Sequence, residues 1–175
     1  KGPHLMCGWG FTSRADVAAF ASCWAQAQLA WPALARSAVA CAALQAKRDQ
    51  ASAQRLLRWV AEQQPVAQWL WLDEAALQTV RTATQSARIA ARFGTGSVSE
   101  ALAMRAARQL GVDAGRLVLR RVVSADRQAS LALALSALEG RQKLLDDARA
   151  VEAGWRTLVD ELRADFLANC AQGKR

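Results

Sequence analysis

Short apolar runs alternate with amphipathic stretches along most of the chain, and that alternation sets the elements to expect. Cys7–Phe11 (CGWGF) is an apolar run ending in glycine-punctuated chain, the pattern of a buried strand that leads into a loop. Thr12 or Ser13 is placed to cap the following helix, which runs from about Ala15 to Leu29 with Val17, Phe20, Ala21 and Trp24 at helical spacing. Trp31-Pro32 breaks it, because a residue before proline avoids helical angles. Ser37–Leu44 (SAVACAAL) is continuously apolar and short, as a strand buried on both faces would be. Ser52–Gln63 is a second helix whose apolar side carries Leu56, Leu57, Trp59 and Val60. Ala67–Leu72 is another strand, and Asp73–Val80 a short helix capped by Asp73. Val98–Leu110 is a third clear helix that stops at Gly111. Arg116–Val123 and Ser130–Leu135 are strands joined by a turn at Ser124–Arg127, close enough for an antiparallel hairpin.

Strands alternating with helices and closed by a hairpin predict an α/β domain: a mixed β-sheet flanked by helices. The tail departs from this pattern. From Arg141 to Cys170 there is no proline and one glycine, Gly154, while Leu144, Ala148, Val151, Trp155, Leu158, Leu162 and Phe166 recur at steps of three or four. That spacing predicts a long C-terminal amphipathic helix with a weak point at Gly154. We expect it to pack on its own domain, with a subunit contact as the alternative, so the protein is a monomer or a homodimer. Residues 1–6 (KGPHLM) read as an expression-tag remnant, 7–138 as the folded domain and 139–175 as a helical extension.

Composition narrows the class. Apolar residues make up 53% of the chain, which suits a folded domain. No run approaches the roughly 18 apolar residues that span a bilayer, and no basic stretch followed by a long apolar one marks a signal peptide, so a cytoplasmic protein is expected. Cys7, Cys23, Cys41 and Cys170 are widely spaced and the one histidine, His4, lies in the remnant. That excludes zinc-finger spacing, and catalysis by a Ser/His/Asp or Cys/His set; we expect idle thiols, no metal site and no cofactor.

Charge is unevenly placed. The net +8 falls entirely on residues 1–138, because 139–175 hold seven basic and seven acidic side chains. Residues 81–127 alone carry nine arginines against Glu100, Asp113 and Asp126. Arginine offers a planar fork of donors to carboxylate or phosphate oxygens, so a polyanionic partner fits. A nucleic-acid-binding module is one reading of such basicity, but no compact Lys/Arg run and no standard reader motif is present.

Two glycine segments are candidates for the anion. Thr84 to Glu100 (TQSARIAARFGTGSVSE) places Gly94, Thr95 and Gly96 before Ser97-Val98-Ser99-Glu100, a capping box that opens a helix. Such a loop delivers backbone N–H groups to a helix N-terminus, which favours anions. Gly8-Trp9-Gly10 with Arg14 is the second; Trp9 there is placed to stack on a flat ligand. Lys47 follows the second strand and is expected at the same sheet edge, where ligands of α/β sheets sit. No residue stands out as catalytic.

These loops, in this order, resemble the CobE / CbiG C-terminal family of cobalamin biosynthesis. The matching residues are Gly8 and Gly10 after a first strand, AALQAK ending at Lys47, Thr84 and Ser86 of a T-x-S segment, GTGSVSEA (Gly94 to Ala101), and LVLRRVVSADRQASLALAL. The likeness covers residues 7–135. The family's Arg-Arg-Gly after its first G-x-G is replaced here by Phe11-Thr12-Ser13-Arg14, and the absence of a preceding CbiG-type domain makes the stand-alone CobE form the closer likeness. The resemblance implies a protein that binds a precorrin, a tetrapyrrole intermediate, as a carrier or in lactone opening and acetaldehyde loss of the precorrin-5A hydrolase kind. With Arg14, read from its place after the first glycine loop, the candidate ligand set is Gly8, Gly10, Arg14, Lys47, Thr84, Ser86, Gly94, Thr95, Gly96, Ser97 and Glu100, and the partners the resemblance implies are that precorrin and other enzymes of the corrin pathway.

Overall fold

The computed structural model describes residues 5–37, 39–110, 116–135 and 137–172, and in the last helix the side chains of 149–168 and 170. Strand β1 (Leu5–Phe11) is central because both its faces can be buried: one carries Leu5, Cys7, Trp9 and Phe11, the other Met6 and two glycines. It pairs in parallel with β2 (Val39–Leu44), Cys7 opposite Cys41, and β2 pairs in parallel with β3 (Gln68–Leu72). On its other side β1 runs antiparallel to β5 (Ala129–Leu135), Gly8 opposite Ala132, and β5 continues antiparallel to β4 (Arg116–Val123). The mixed sheet has the order β3-β2-β1-β5-β4.

Helices cover both faces. Helices α1 (Val17–Ala30) and α2 (Ala51–Gln63) supply Phe20, Cys23, Trp24, Leu56, Trp59 and Val60 to the core that holds Trp9. Trp9 stacks on Trp24 with ring centroids 6.5 Å apart and meets Phe20 and Trp59 edge-on at 5.8 and 6.3 Å, geometries that aromatic quadrupoles favour. The opposite core is built on Met6, Ala40, Ala42, Ala132 and Ala134, small residues that let α4 (Val98–Leu110) lie close to the sheet. Gly8 makes that approach possible: a Cβ there would stand 2.0 Å from the Ser99 carbonyl oxygen.

Several expectations need correction. Leu5 and Met6 do not belong to a tag remnant: both are fully buried in β1 and paired with neighbouring strands. The α1 cap is Asp16, whose carboxylate accepts the Ala19 N–H at 3.1 Å, rather than Thr12 or Ser13. Asp73 makes no side-chain cap, and the segment after it is a short 3-10 turn, Glu74–Leu77. A seven-residue helix, α3 (Ala87–Phe93), occupies the stretch read as loop. It was missed because only Ile89 and Phe93 form an apolar stripe, too short to register as a period. Gly111 and Asp113 lie outside the described residues, as does His4.

The chain divides into two units, residues 1–139 and 140–175. The second belongs to α5 (Ala137–Gln172), which passes Gly154 without a break. Within it Val151, Trp155, Leu158, Leu162 and Phe166 are exposed; Leu144 and Ala148 lie outside the described side chains. No helix is long and apolar enough to cross a membrane, among the described residues.

Candidate functional site

The parallel strands β1 and β2 end at Phe11 and Leu44, and the chain beyond them borders a cleft of ≈ 430 Å³. The β4–β5 turn, α3 and Val98 at the start of α4 contribute the rest of its lining. This is the sheet edge where α/β folds place ligands, and the volume is that of a small-molecule site. Phe11, Leu44, Ile89, Phe93 and Val98 give the lining its apolar part. Thr12, Ser86 and Ser130 add hydroxyls.

Five cations line the same cleft, Lys47, Arg88, Arg92, Arg121 and Arg127, with no carboxylate among the lining residues. None of the four arginines makes an ion pair among the described residues. Lys47 is half-buried; its ammonium donates to the Phe11 carbonyl and stands 5.2 Å from the centre of the Phe11 ring. Burial lowers its pKa below the usual lysine range and the charge of Arg92 lowers it further, with Glu74 acting in the opposite sense. A second cation close enough to lower the Lys47 pKa signals a surplus of positive potential, which an anionic ligand would relieve.

The residues expected to bind ligand separate into two groups. Gly10, Lys47 and Ser86 border the cleft. Gly10 has its place because a Cβ would meet the Ser130 hydroxyl at 2.7 Å, and Ser86 caps α3 by accepting the Ile89 N–H at 3.5 Å. The others serve the fold. Gly8 seats α4, as described. Gly94 ends α3 in the left-handed conformation, φ 67°, a common glycine C-cap. Thr95 is buried and donates to the Val80 carbonyl at 3.1 Å. A Cβ on Gly96 would stand 2.5 Å from the Thr84 carbonyl oxygen and from Oε1 of Gln85, so that glycine faces neighbouring chain and not the cleft. Ser97 is fully buried and caps α4, its hydroxyl accepting the Glu100 N–H at 3.5 Å.

Glu100 does not complete a capping box. Its carboxylate, fully buried, accepts the Thr84 N–H at 2.9 Å, the Thr84 hydroxyl, and the Arg121 N–H at 3.0 Å. Thr84 and Glu100 therefore satisfy one another, and neither lines the cleft. Arg14 is exposed in the loop after β1, also outside the lining. Trp9 borders the cleft, but it is 1% exposed and its ring is held by the aromatic core, so it offers no stacking face. The glycine loop thus contributes the N-terminus of α4 and little else. Sequence reasoning missed Arg88, Arg92, Arg121 and Arg127. Their only sequence signal is the arginine surplus of residues 81–127, which names the segment without choosing among its members.

Among the described residues no group of three or more His, Cys, Asp or Glu is arranged for a metal ion. Cys7, Cys23 and Cys41 are buried; burial pushes the Cys23 thiol up to about 12, and Cys7 is raised by its hydrogen bond to Cys41 and by burial.

Comparison with known proteins agrees with this architecture. The family described as cobalamin synthesis G C-terminus matches residues 5–134. Among solved structures, the crystal structure of CobE, a protein from the cobalamin (vitamin B12) biosynthetic pathway, is similar at 25% identity with a TM-score of 0.59, covering 76% of this chain and 90% of that one. The cobalamin biosynthesis protein chiG from Agrobacterium tumefaciens str. C58 is similar at 25% identity with a TM-score of 0.49, covering 76% of this chain and 98% of that one. No curated protein matches the chain.

Proposed function

The chain belongs to the CbiG C-terminal family of cobalamin synthesis, and from that premise we propose that its basic cleft binds a precorrin through the carboxylates around the ring. One observation carries the reading: five cations and no carboxylate line a cleft whose remaining wall is apolar. A precorrin joins a large apolar ring to many peripheral carboxylates, so both parts of the lining have a counterpart. Guanidinium groups hold carboxylates through paired hydrogen bonds that are stronger than neutral ones. The ligand exceeds the cleft in size and extends into solvent from its open side.

Titration with a fully carboxylated porphyrin, followed by absorbance, tests this. Tight binding is expected, with at least tenfold weaker binding of the corresponding methyl ester and of the R88A/R92A variant. Equal affinity for acid and ester would reject the reading.

Hydrolytic lactone opening is a second reading, and Lys47 favours it. Burial and Arg92 keep its amine closer to neutral than an ordinary lysine, which is what a general base requires. Incubation with a lactone-bearing precorrin would then give a product heavier by one water, and the K47R variant would bind the precorrin without giving it.

A further inference from the structure

Arg127 occupies a backbone conformation that a side chain of its kind rarely takes. Its φ is 61°, and among the described residues it is the one non-glycine with positive φ. Left-handed angles bring the Cβ of an ordinary residue too close to its carbonyl oxygen, and glycine or asparagine is the usual choice at such a turn position.

The turn around it is clamped on both sides. The Ser124 hydroxyl donates to Oδ1 of Asp126 at 2.6 Å and accepts the N–H groups of Gln128 at 3.1 Å and Ala129 at 3.0 Å. Oδ1 of Asp126 also accepts the Gln128 N–H at 3.0 Å, and the Arg127 N–H donates to the Ser124 carbonyl at 2.8 Å. From the neighbouring loop, the Thr12 N–H donates to the Gln128 carbonyl at 2.9 Å, and the Thr12 hydroxyl to Oε1 of Gln128 at 2.5 Å. These bonds fix Arg127 without using its side chain, whose guanidinium has no hydrogen-bond or ion-pair partner among the described residues. The side chain nevertheless lines the cleft, as do Arg88 and Arg92 of α3.

We propose that Arg127 is the residue that anchors one carboxylate of the ligand, and that the turn holds it in a strained conformation to do so. This rests on the cleft being the ligand site. A rigid turn with a strained member fits pre-organisation of the backbone: that part of the cost is met in the free protein, and the ligand has only the exposed side chain left to order. Arg88 and Arg92 project from a single short helix and can hold other carboxylates of the same ligand.

Three variants test the inference, R127G, R127K and R92A, each titrated with the fully carboxylated porphyrin and melted alone. R127G is expected to bind at least tenfold more weakly while melting about 3 °C higher than the parent, a gain larger than that of R92A, which removes a charge without touching the strain. R127K, which keeps charge and conformation but loses the paired hydrogen bonds, is expected to melt with the parent and bind several-fold more weakly. R127G binding as tightly as the parent while R92A binds weakly would overturn the anchoring role and leave the cleft reading standing. R127G melting below the parent would overturn the strain. Parental affinity in both R127G and R92A would reject the cleft itself.

Discussion

Oε1 of Glu100 accepts the backbone N–H of Arg121 at 3.0 Å, across the interface between α4 and β4. Oε2 of the same carboxylate accepts the Thr84 N–H at 2.9 Å. One buried anion therefore ties together α4, the strand that carries Arg121, and the segment that leads to Ser86 and Arg88.

Burial alone would raise the Glu100 pKa, but hydrogen bonds from Arg121, Thr84 and Ala83 outweigh it and hold the carboxyl below its usual range. A lowered folded-state pKa gives stability that is full above the unfolded value of about 4.5 and is lost as pH falls through the folded value. Thermal melts between pH 7 and 3 should show this acid loss in the parent. E100Q should melt lower at pH 7, by roughly 1–3 kcal/mol of stability, because its amide sets a donor against a donor. The variant's melting temperature should also change less with acid than the parent's.

Lys47 gives the opposite sign on binding. Its ammonium contributes to anion affinity only while protonated, and its pKa is lowered by burial and by Arg92. Affinity for the carboxylated porphyrin should fall with rising pH earlier than an ordinary lysine at 10.5 would dictate. K47R should bind with little pH dependence over the same range. An affinity for the parent that is flat up to pH 10 would contradict the placement of Lys47 in the ligand site.

Gly8 and α4 are in contact without room to spare. A Cβ at position 8 would lie 2.0 Å from the Ser99 carbonyl oxygen and 2.6 Å from the Ala103 nitrogen, both backbone atoms that no rotamer change can move. G8A should cost about 3 kcal/mol, at the high end for overpacking, measured by denaturant unfolding. Substitution at Gly96 should likewise damage the fold, because the Thr84 carbonyl oxygen fills its space.

The two apolar cores draw only on residues 5–135 among the described ones. A chain ending at Glu139 should therefore melt within about 2 °C of the parent and keep its affinity for the carboxylated porphyrin. The exposed stripe of Val151, Trp155, Leu158, Leu162 and Phe166 on α5 is the kind of surface that associates. The full chain should run as a dimer in light scattering, and L158E/L162E as a monomer with the parent's melting temperature. A monomeric parent would remove the stripe from consideration as a subunit contact.

The local pattern of the chain was enough to determine most of the elements. Val98–Leu110 and Arg116–Val123 have the bounds their periodicity predicts, and the hairpin that Arg116–Val123 opens forms as expected, since each depends on side chains within a few residues of one another. The family was legible as well, because GTGSVSEA is a contiguous string whose residues are constrained by one helix start. The site was not. Its cations come from the end of β2, from α3, from β4 and from the hairpin turn, and nothing in the order of the chain says that Lys47, Arg92 and Arg127 share a cleft. Conversely, Glu100, Thr84 and Gly96 looked like ligand residues because sequence shows a polar, glycine-rich loop but not what that loop touches. Folding spends their hydrogen bonds and their space inside the protein, and leaves the arginines of the cleft without an ion pair among the described residues. Whether a polar group turns toward its own chain or toward a ligand is decided by distances across the sequence, and only the tertiary structure sets those.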